Sequence, residues 1–157
     1  MSNVRPQLAR VTKKPGDVFK VPLSNRRYGL AQWLPDGTAR FFRKAFAQDE
    51  TPPPLDSLAI AFRVLVFRDT PGRYGWMKVC NSPVSQALAA PQRYAKKEIG
   101  SGEINVYYEG ELTPATASDV KGLETLAVWA HPHLVERLEA LLEGRESTFE
   151  KSLRIVA

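Results

Sequence analysis

Between Pro15 and Leu34 the chain alternates apolar and polar residues and carries turn residues at its break points, a pattern that admits little besides a β-hairpin. Pro15-Gly16 opens a first strand, Asp17 to Leu23, in which Phe19, Val21 and Leu23 alternate with Lys20 and Pro22. Ser24-Asn25 breaks it. A second strand from Arg27 to Leu34 puts Tyr28, Leu30 and Leu34 on one face and Gly29, Ala31 and Trp33 on the other. Small residues at 29 and 31 leave room for another backbone or a large side chain to approach. Pro22 donates no hydrogen bond, so it belongs at an edge or a bulge. The stretch reads as the half-buried opening hairpin of a small β-rich core.

The rest of the chain extends that core. Pro35-Asp36-Gly37 is a turn leading to a third strand, Thr38 to Phe46, where the Phe41-Phe42 doublet disturbs the alternation and marks a bulge. Gln48 to Pro54 is an exposed connection. Leu58 to Phe67 is the most hydrophobic strand and reads as central. Thr70-Pro71-Gly72 turns into a further strand, Arg73 to Cys80, and Asn81 to Arg93 reads as a loop. Glu103 to Tyr108 alternates as a strand, residues 112 to 118 read as turn-rich, and residues 122 to 130 read as a strand. The helix signal is clear once. Pro132 suits a first helical turn, Leu134, Val135, Leu138, Leu141 and Leu142 form one stripe, and Gly144 supplies the stop. Residues 145 to 157 are left as a tail with a late strand or no structure.

These elements predict an α+β fold, a curled antiparallel sheet of which an SH3-like barrel is one form, with one C-terminal amphipathic helix. Its 157 residues suit one domain, here 15–144, preceded by a basic arm over 1–14. No apolar run reaches the roughly 18 residues of a membrane span, and the first residues lack the apolar centre of a secretory signal. A cytoplasmic protein with no membrane partner is the expectation. The lone cysteine, Cys80, excludes an internal disulfide and is expected to be a buried filler.

Chemistry-bearing motifs are scarce. The sequence has no glycine-rich phosphate loop, no nucleophile elbow and no Cys-x-x-Cys pair. His131 and His133 fall short of the three or four ligands a metal site needs. No catalytic residue, cofactor or metal is therefore assigned. Charge is more informative. Residues 1–97 hold 17 Lys or Arg against 6 Asp or Glu, whereas residues 98–157 hold 5 against 11. Halves of opposite sign attract each other within a fold or present different fields to partners. Tyr, Trp and Arg dominate binding hot spots. Arg26-Arg27-Tyr28, just after the hairpin break, is expected to be exposed and is the first candidate contact, together with Trp76. The ridge Glu136, Glu139 and Glu143, opposite the helix's apolar stripe, is the second. Each also has a plain structural reading, the aromatics as core and the glutamates as a solvated face.

The run Gly16-Asp17-Val18-Phe19-Lys20-Val21-Pro22-Leu23, followed by Arg27-Tyr28-Gly29, resembles the opening of the immunity protein 26 family of bacterial polymorphic toxin systems. The similarity continues through Phe62 to Phe67, Trp76-x-x-Val79 and Pro91 to Tyr94. It is strongest again at Gly122-Leu123-Glu124, at Ala127-Val128-Trp129 and in the helix with Val135-Glu136-Arg137-Leu138. The resemblance implies an α+β antidote encoded beside a toxin, binding one cognate toxin domain without catalysis or cofactor. It carries over no set of toxin contacts. The alternative class is a small basic barrel that binds nucleic acid through Arg26, Arg27, Arg40, Arg43 and Lys44, with affinity falling steeply as salt rises.

Overall fold

The computed structural model describes residues 11–155, so residues 1–10 of the expected basic arm and the last two of the tail lie outside the described part. The hairpin forms where the alternation places it, as β1 (Asp17–Pro22) and β2 (Arg27–Trp33), with Phe19 opposite Ala31 and Val21 opposite Gly29. β3 (Thr38–Phe42) follows the Pro-Asp-Gly turn, and its register against the next long strand slips between Phe41 and Phe42, the expected bulge. β4 (Phe46–Ala47) returns to pair with β2. β5 (Ile60–Val66) lies between β3 and a short late strand, β11 (Val128–Trp129), to which it is parallel.

Two sheets result. The larger runs β11-β5-β3-β2-β1-β6, where β6 is Met77–Asn81 and β4 branches from β2. The smaller runs β10-β7-β8-β9, formed by Glu124–Thr125, Tyr94–Lys97, Ile104–Tyr108 and Glu111–Pro114. The class is α+β, a curled sheet with a C-terminal helix across it. The SH3-like barrel form does not occur, because β11 and β6 end the large sheet without meeting. Nor are the sheets wholly antiparallel, since β10 and β11 each add in parallel.

The core lies mainly on one face of the large sheet. Phe19, Val21, Ala31, Trp33, Phe41, Phe62, Val64 and Val66 meet Trp76, Trp129, Leu134 and Leu138. The other face of the hairpin, expected to be open, is also closed. Val18, Tyr28, Leu30, Phe42 and Phe46 form a second cluster capped by Leu55 and Leu58 from the proline-rich connection. That segment follows β4 back over the sheet, which alternation within the hairpin does not encode.

The strong helix, α3 (His131–Glu143), ends as expected at Gly144, whose φ of 71° is left-handed and directs the amides of Gly144 and Arg145 to the carbonyls of Leu141 and Ala140. It buries Leu134 and Leu138. Four segments differ from expectation. Thr70–Arg73 is one turn of helix (α1) in place of the start of a strand, because Tyr74 and Arg73 donate back to Thr70 and Asp69. Gln86–Ala89 is a short helix (α2), capped by the Ser85 hydroxyl. Residues 111–114 form β9, taking in the start of the stretch 112–118 expected to be turn-rich. The tail forms neither a strand nor a loose end but α4 (Thr148–Leu153), with Ser147 accepting from the Glu150 amide. Cys80 is exposed on the outermost strand, not buried, because the strand that carries it is an edge.

The close approach expected at Gly29 is present. A Cβ there would sit 2.9 Å from Cδ2 of Leu138, itself 1% exposed. Gly29→Ala is therefore expected to destabilise the protein by about 1–3 kcal/mol, as overpacking does. Urea unfolding of Gly29→Ala, Leu138→Ala and the double variant checks this. The double variant should lose less than the two single losses combined, since the shortened side chain removes the clash.

Candidate functional site

The first candidate contact sits at the tip of the β1–β2 hairpin. Arg27 donates its amide to the Ser24 carbonyl and Leu23 donates to Arg27, leaving Asn25 and Arg26 as the two central residues of the turn. Both have left-handed backbones, with φ of 60° and 56°. Two such residues in succession make the turn whose twist matches a β-hairpin, and its second position is usually glycine. Asn tolerates the conformation; Arg pays roughly 1 kcal/mol or more for it. Arg26 is exposed and makes no ion pair among the described residues.

The second candidate, the glutamate ridge, is joined to that tip. Glu139 accepts from the Ser24 amide at 2.8 Å and from the Ser24 hydroxyl at 3.2 Å, so α3 clamps the turn. Of the other two ridge carboxylates, Glu136 meets the start of α4 and Glu143 meets Arg145 ahead of it. Glu136 accepts from the Thr148 amide at 3.0 Å and from the Ser147 hydroxyl, with Arg145 at 3.5 Å. Burial raises its pKa, but these hydrogen bonds and the Arg145 charge outweigh burial and hold it below the usual carboxylate range. Glu143, the most exposed of the three, pairs with Arg145 at 2.7 Å. The ridge is thus largely engaged within the fold rather than solvated.

Two of the aromatic candidates are inside. Tyr28, expected to be exposed, is 2% exposed. It stacks on Phe46 at 5.2 Å, lies under the Lys20 ammonium at 4.5 Å, and donates its hydroxyl to the Glu50 carbonyl. Tyr28 points away from the turn because the register Pro22 to Tyr28 puts it on the face covered by residues 46–58. Trp76 is 3% exposed and packs on Phe19 and Phe41. Arg27 is half-buried, with its Nε buried and unpartnered. Of the residues chosen from sequence, Arg26, Glu143 and, from the nucleic-acid set, Arg43 remain open to a partner; Arg43 is exposed without an ion pair among the described residues.

Much of the basic half is spent on the fold. Arg40 lies over Phe42 and donates to buried Gln32, and Lys44 lies over Phe46 and beside Glu50. Arg63 pairs with Asp36 at 2.9 Å, and Lys78 pairs with Asp17 at 2.8 Å. Arg137, which the sequence places only within the helix register, forms a bidentate pair with Glu124 at 3.0 and 2.5 Å and stacks over Phe62 and Trp129. It borders a cleft of about 790 Å³ among the 117–125 turn, α3 and α4, where Arg137 pairs with Glu124 and Arg154 with Glu150, and Lys121 has no ion pair among the described residues. Among the described residues no group of three His, Cys, Asp or Glu could hold a metal ion, and no helix is long and apolar enough to cross a membrane. Compared with known proteins, the chain matches no family model, no curated protein and no solved structure.

At the start of α3, Trp76 donates its indole N–H to Nδ1 of His131 at 3.0 Å, and Tyr74 stacks on the same imidazole at 4.5 Å. The bond requires Nδ1 to be unprotonated, and burial holds the His131 pKa below its ordinary value. A histidine with a depressed folded value contributes stability that is complete above the unfolded value of about 6.5 and is lost as pH falls towards the folded value. Lowering the pH from about 7.5 to about 5.5 should cost the wild type more stability than His131→Asn, whose amide oxygen can replace Nδ1 as acceptor. Urea midpoints at both pH values measure this; equal losses would place the acid sensitivity elsewhere.

Proposed function

We propose that this protein is an immunity protein, a cytoplasmic antidote that binds one cognate toxin domain and blocks it by occlusion, without catalysis or cofactor. The observation that carries the reading is Arg26. A long cation is held in a backbone conformation that favours glycine, on a turn that Glu139 clamps, and its side chain pairs with nothing among the described residues. Local strain of this kind costs stability and persists where the residue is used. A clamped turn also loses little freedom on docking, so less of the contact energy goes to ordering it. The resemblance of residues 15–144 to the immunity protein 26 family supports a toxin domain as the partner. The packing of Arg40 and Lys44 over aromatic rings favours a protein partner over the nucleic-acid alternative, because two of the five cations of that set serve the sheet, leaving Arg26 and Arg43 exposed.

Replacing Arg26 with Gly separates the two roles. The turn is relieved of strain, so Arg26→Gly should be more stable than the wild type by about 0.5–1 kcal/mol in urea unfolding. The same variant should associate several-fold more slowly with the cognate toxin domain that this reading places beside its gene, and with a weaker dependence on salt, measured by stopped-flow mixing. A variant that gains stability and associates at the wild-type rate would remove Arg26 from the contact. No binding by the wild type would end the antidote reading.

A further inference from the structure

β6 is the outer strand of the large sheet. It pairs with β1 on one side, and among the described residues its five residues make no backbone hydrogen bond on the other. All five are exposed, Met77 at 62% and Val79 at 37%. An open strand edge is a row of unpaired amides and carbonyls, and folds ordinarily guard such edges with charge, proline or brevity. The other outer strands are guarded in this way. β9 carries Glu111 and Pro114, while β10 and β11 are two residues long. β6 has no proline, and its one charge is turned away, since the Lys78 ammonium reaches inward to Asp17. Asn81 is likewise engaged, donating to Asp17 and to the Pro15 carbonyl. The slip of register opposite Val18 and Phe19 bends the ladder but covers nothing outside it.

The surroundings of this edge are basic. Arg73 lies four residues before the Met77 end of the strand, Lys14 donates its amide to Asp17 beside the Asn81 end, and Lys20, opposite Met77, holds its ammonium over the Tyr28 ring. Lys14 and Arg73 are exposed without an ion pair among the described residues; Asp69 is the nearest carboxylate in sequence besides Asp17. Met77 faces Lys20, two residues short of Pro22, so this end of β6 lies towards the hairpin turn that carries Arg26. A second copy added antiparallel would set the Met77 end, with Arg73, against the Asn81 end of the other copy, where Lys14 lies, so that cation would face cation.

We infer that β6 receives an extended segment of the partner protein as an added strand, apolar where it covers Met77 and Val79 and acidic at the end nearest Arg26. The inference rests on the reading of the protein as an antidote and specifies how the toxin domain is held. Main-chain bonds to β6 supply the grip, and the two apolar side chains with the basic end supply register and direction.

Amide hydrogen exchange of the full chain, alone and with the toxin domain encoded beside its gene, tests this directly. Exchange within residues 77–81 should slow by about tenfold or more in the complex, and Met77→Glu should weaken binding by about tenfold while leaving the urea midpoint unchanged, since Met77 is exposed. A complex that forms with unaltered exchange at 77–81, and that Met77→Glu joins as tightly as the wild type, overturns the strand addition and leaves the antidote reading intact. Slowing at 77–81 that grows with the concentration of this chain alone overturns the choice of occupant in favour of a second copy. Failure to form any complex removes both readings together.

Discussion

The fold depends on one turn of α3 in which four consecutive side chains each fix a different part of the molecule. Leu138 occupies the space left by Gly29 and seats the helix on the hairpin. Glu139 holds the hairpin turn through Ser24, and Arg137 reaches Glu124 of the small sheet while covering Phe62 and Trp129. Glu136 receives the first turn of α4. A bidentate guanidinium–carboxylate pair that is mostly shielded from water, as Arg137 and Glu124 are, is stronger than an exposed pair and leaves little choice of geometry. The helix is therefore less a lid over a finished sheet than the piece that positions the hairpin tip, the small sheet and the chain's end relative to one another.

That arrangement accounts for the character of the candidate surface. The hairpin tip would ordinarily be the most mobile part of the sheet, yet its amide and hydroxyl at Ser24 are bonded across 115 residues of sequence to Glu139. Strain at Arg26 can be sustained because the turn is held from outside as well as by its own strands. Asp17 does the equivalent work at the opposite end of β1. Its buried carboxylate accepts from Lys14, Asn81 and Lys78, and by drawing in Lys78 it strips the outer strand of its guarding charge. Burial raises the Asp17 pKa, but the hydrogen bonds from Asn81, Lys78 and Lys14 outweigh it, so the carboxylate stays charged at neutral pH.

Much of the fold was legible where periodicity is a local matter. The hairpin, the bulge at Phe41-Phe42, the core strand to Val66 and the helix with its glycine stop all follow from spacing within a dozen residues. What the sequence concealed depended on covering segments. Tyr28 and Trp76 looked like surface hot spots beside Arg and Gly, and they are buried because residues 46–58 and α3 lie over them. Cys80 looked buried beside apolar neighbours and is exposed because no strand follows β6 outward. α4 had a readable signal that the sequence reading passed over. Ser147-Thr-Phe-Glu150 has the spacing of a capping box, and the serine does cap the helix. The glutamate ridge was read by helical position alone, which places its residues correctly but gives no hint that Ser24 and Ser147 arrive to meet them.

The short parallel strands β10 and β11 bear on how the protein is made. Within six residues the chain adds one strand to the small sheet and one to the large, with the Leu126 amide bonded to Ala95 and the Trp129 carbonyl to Phe67. The small sheet is complete only once residue 125 has been synthesised and the large sheet only at residue 129, and α3 follows immediately. Contacts this distant in sequence form late and slowly. A ribosome that has not yet reached residue 124 therefore holds two open sheets with bare edges, and the tip at Arg26 is clamped only after Glu139 has been added.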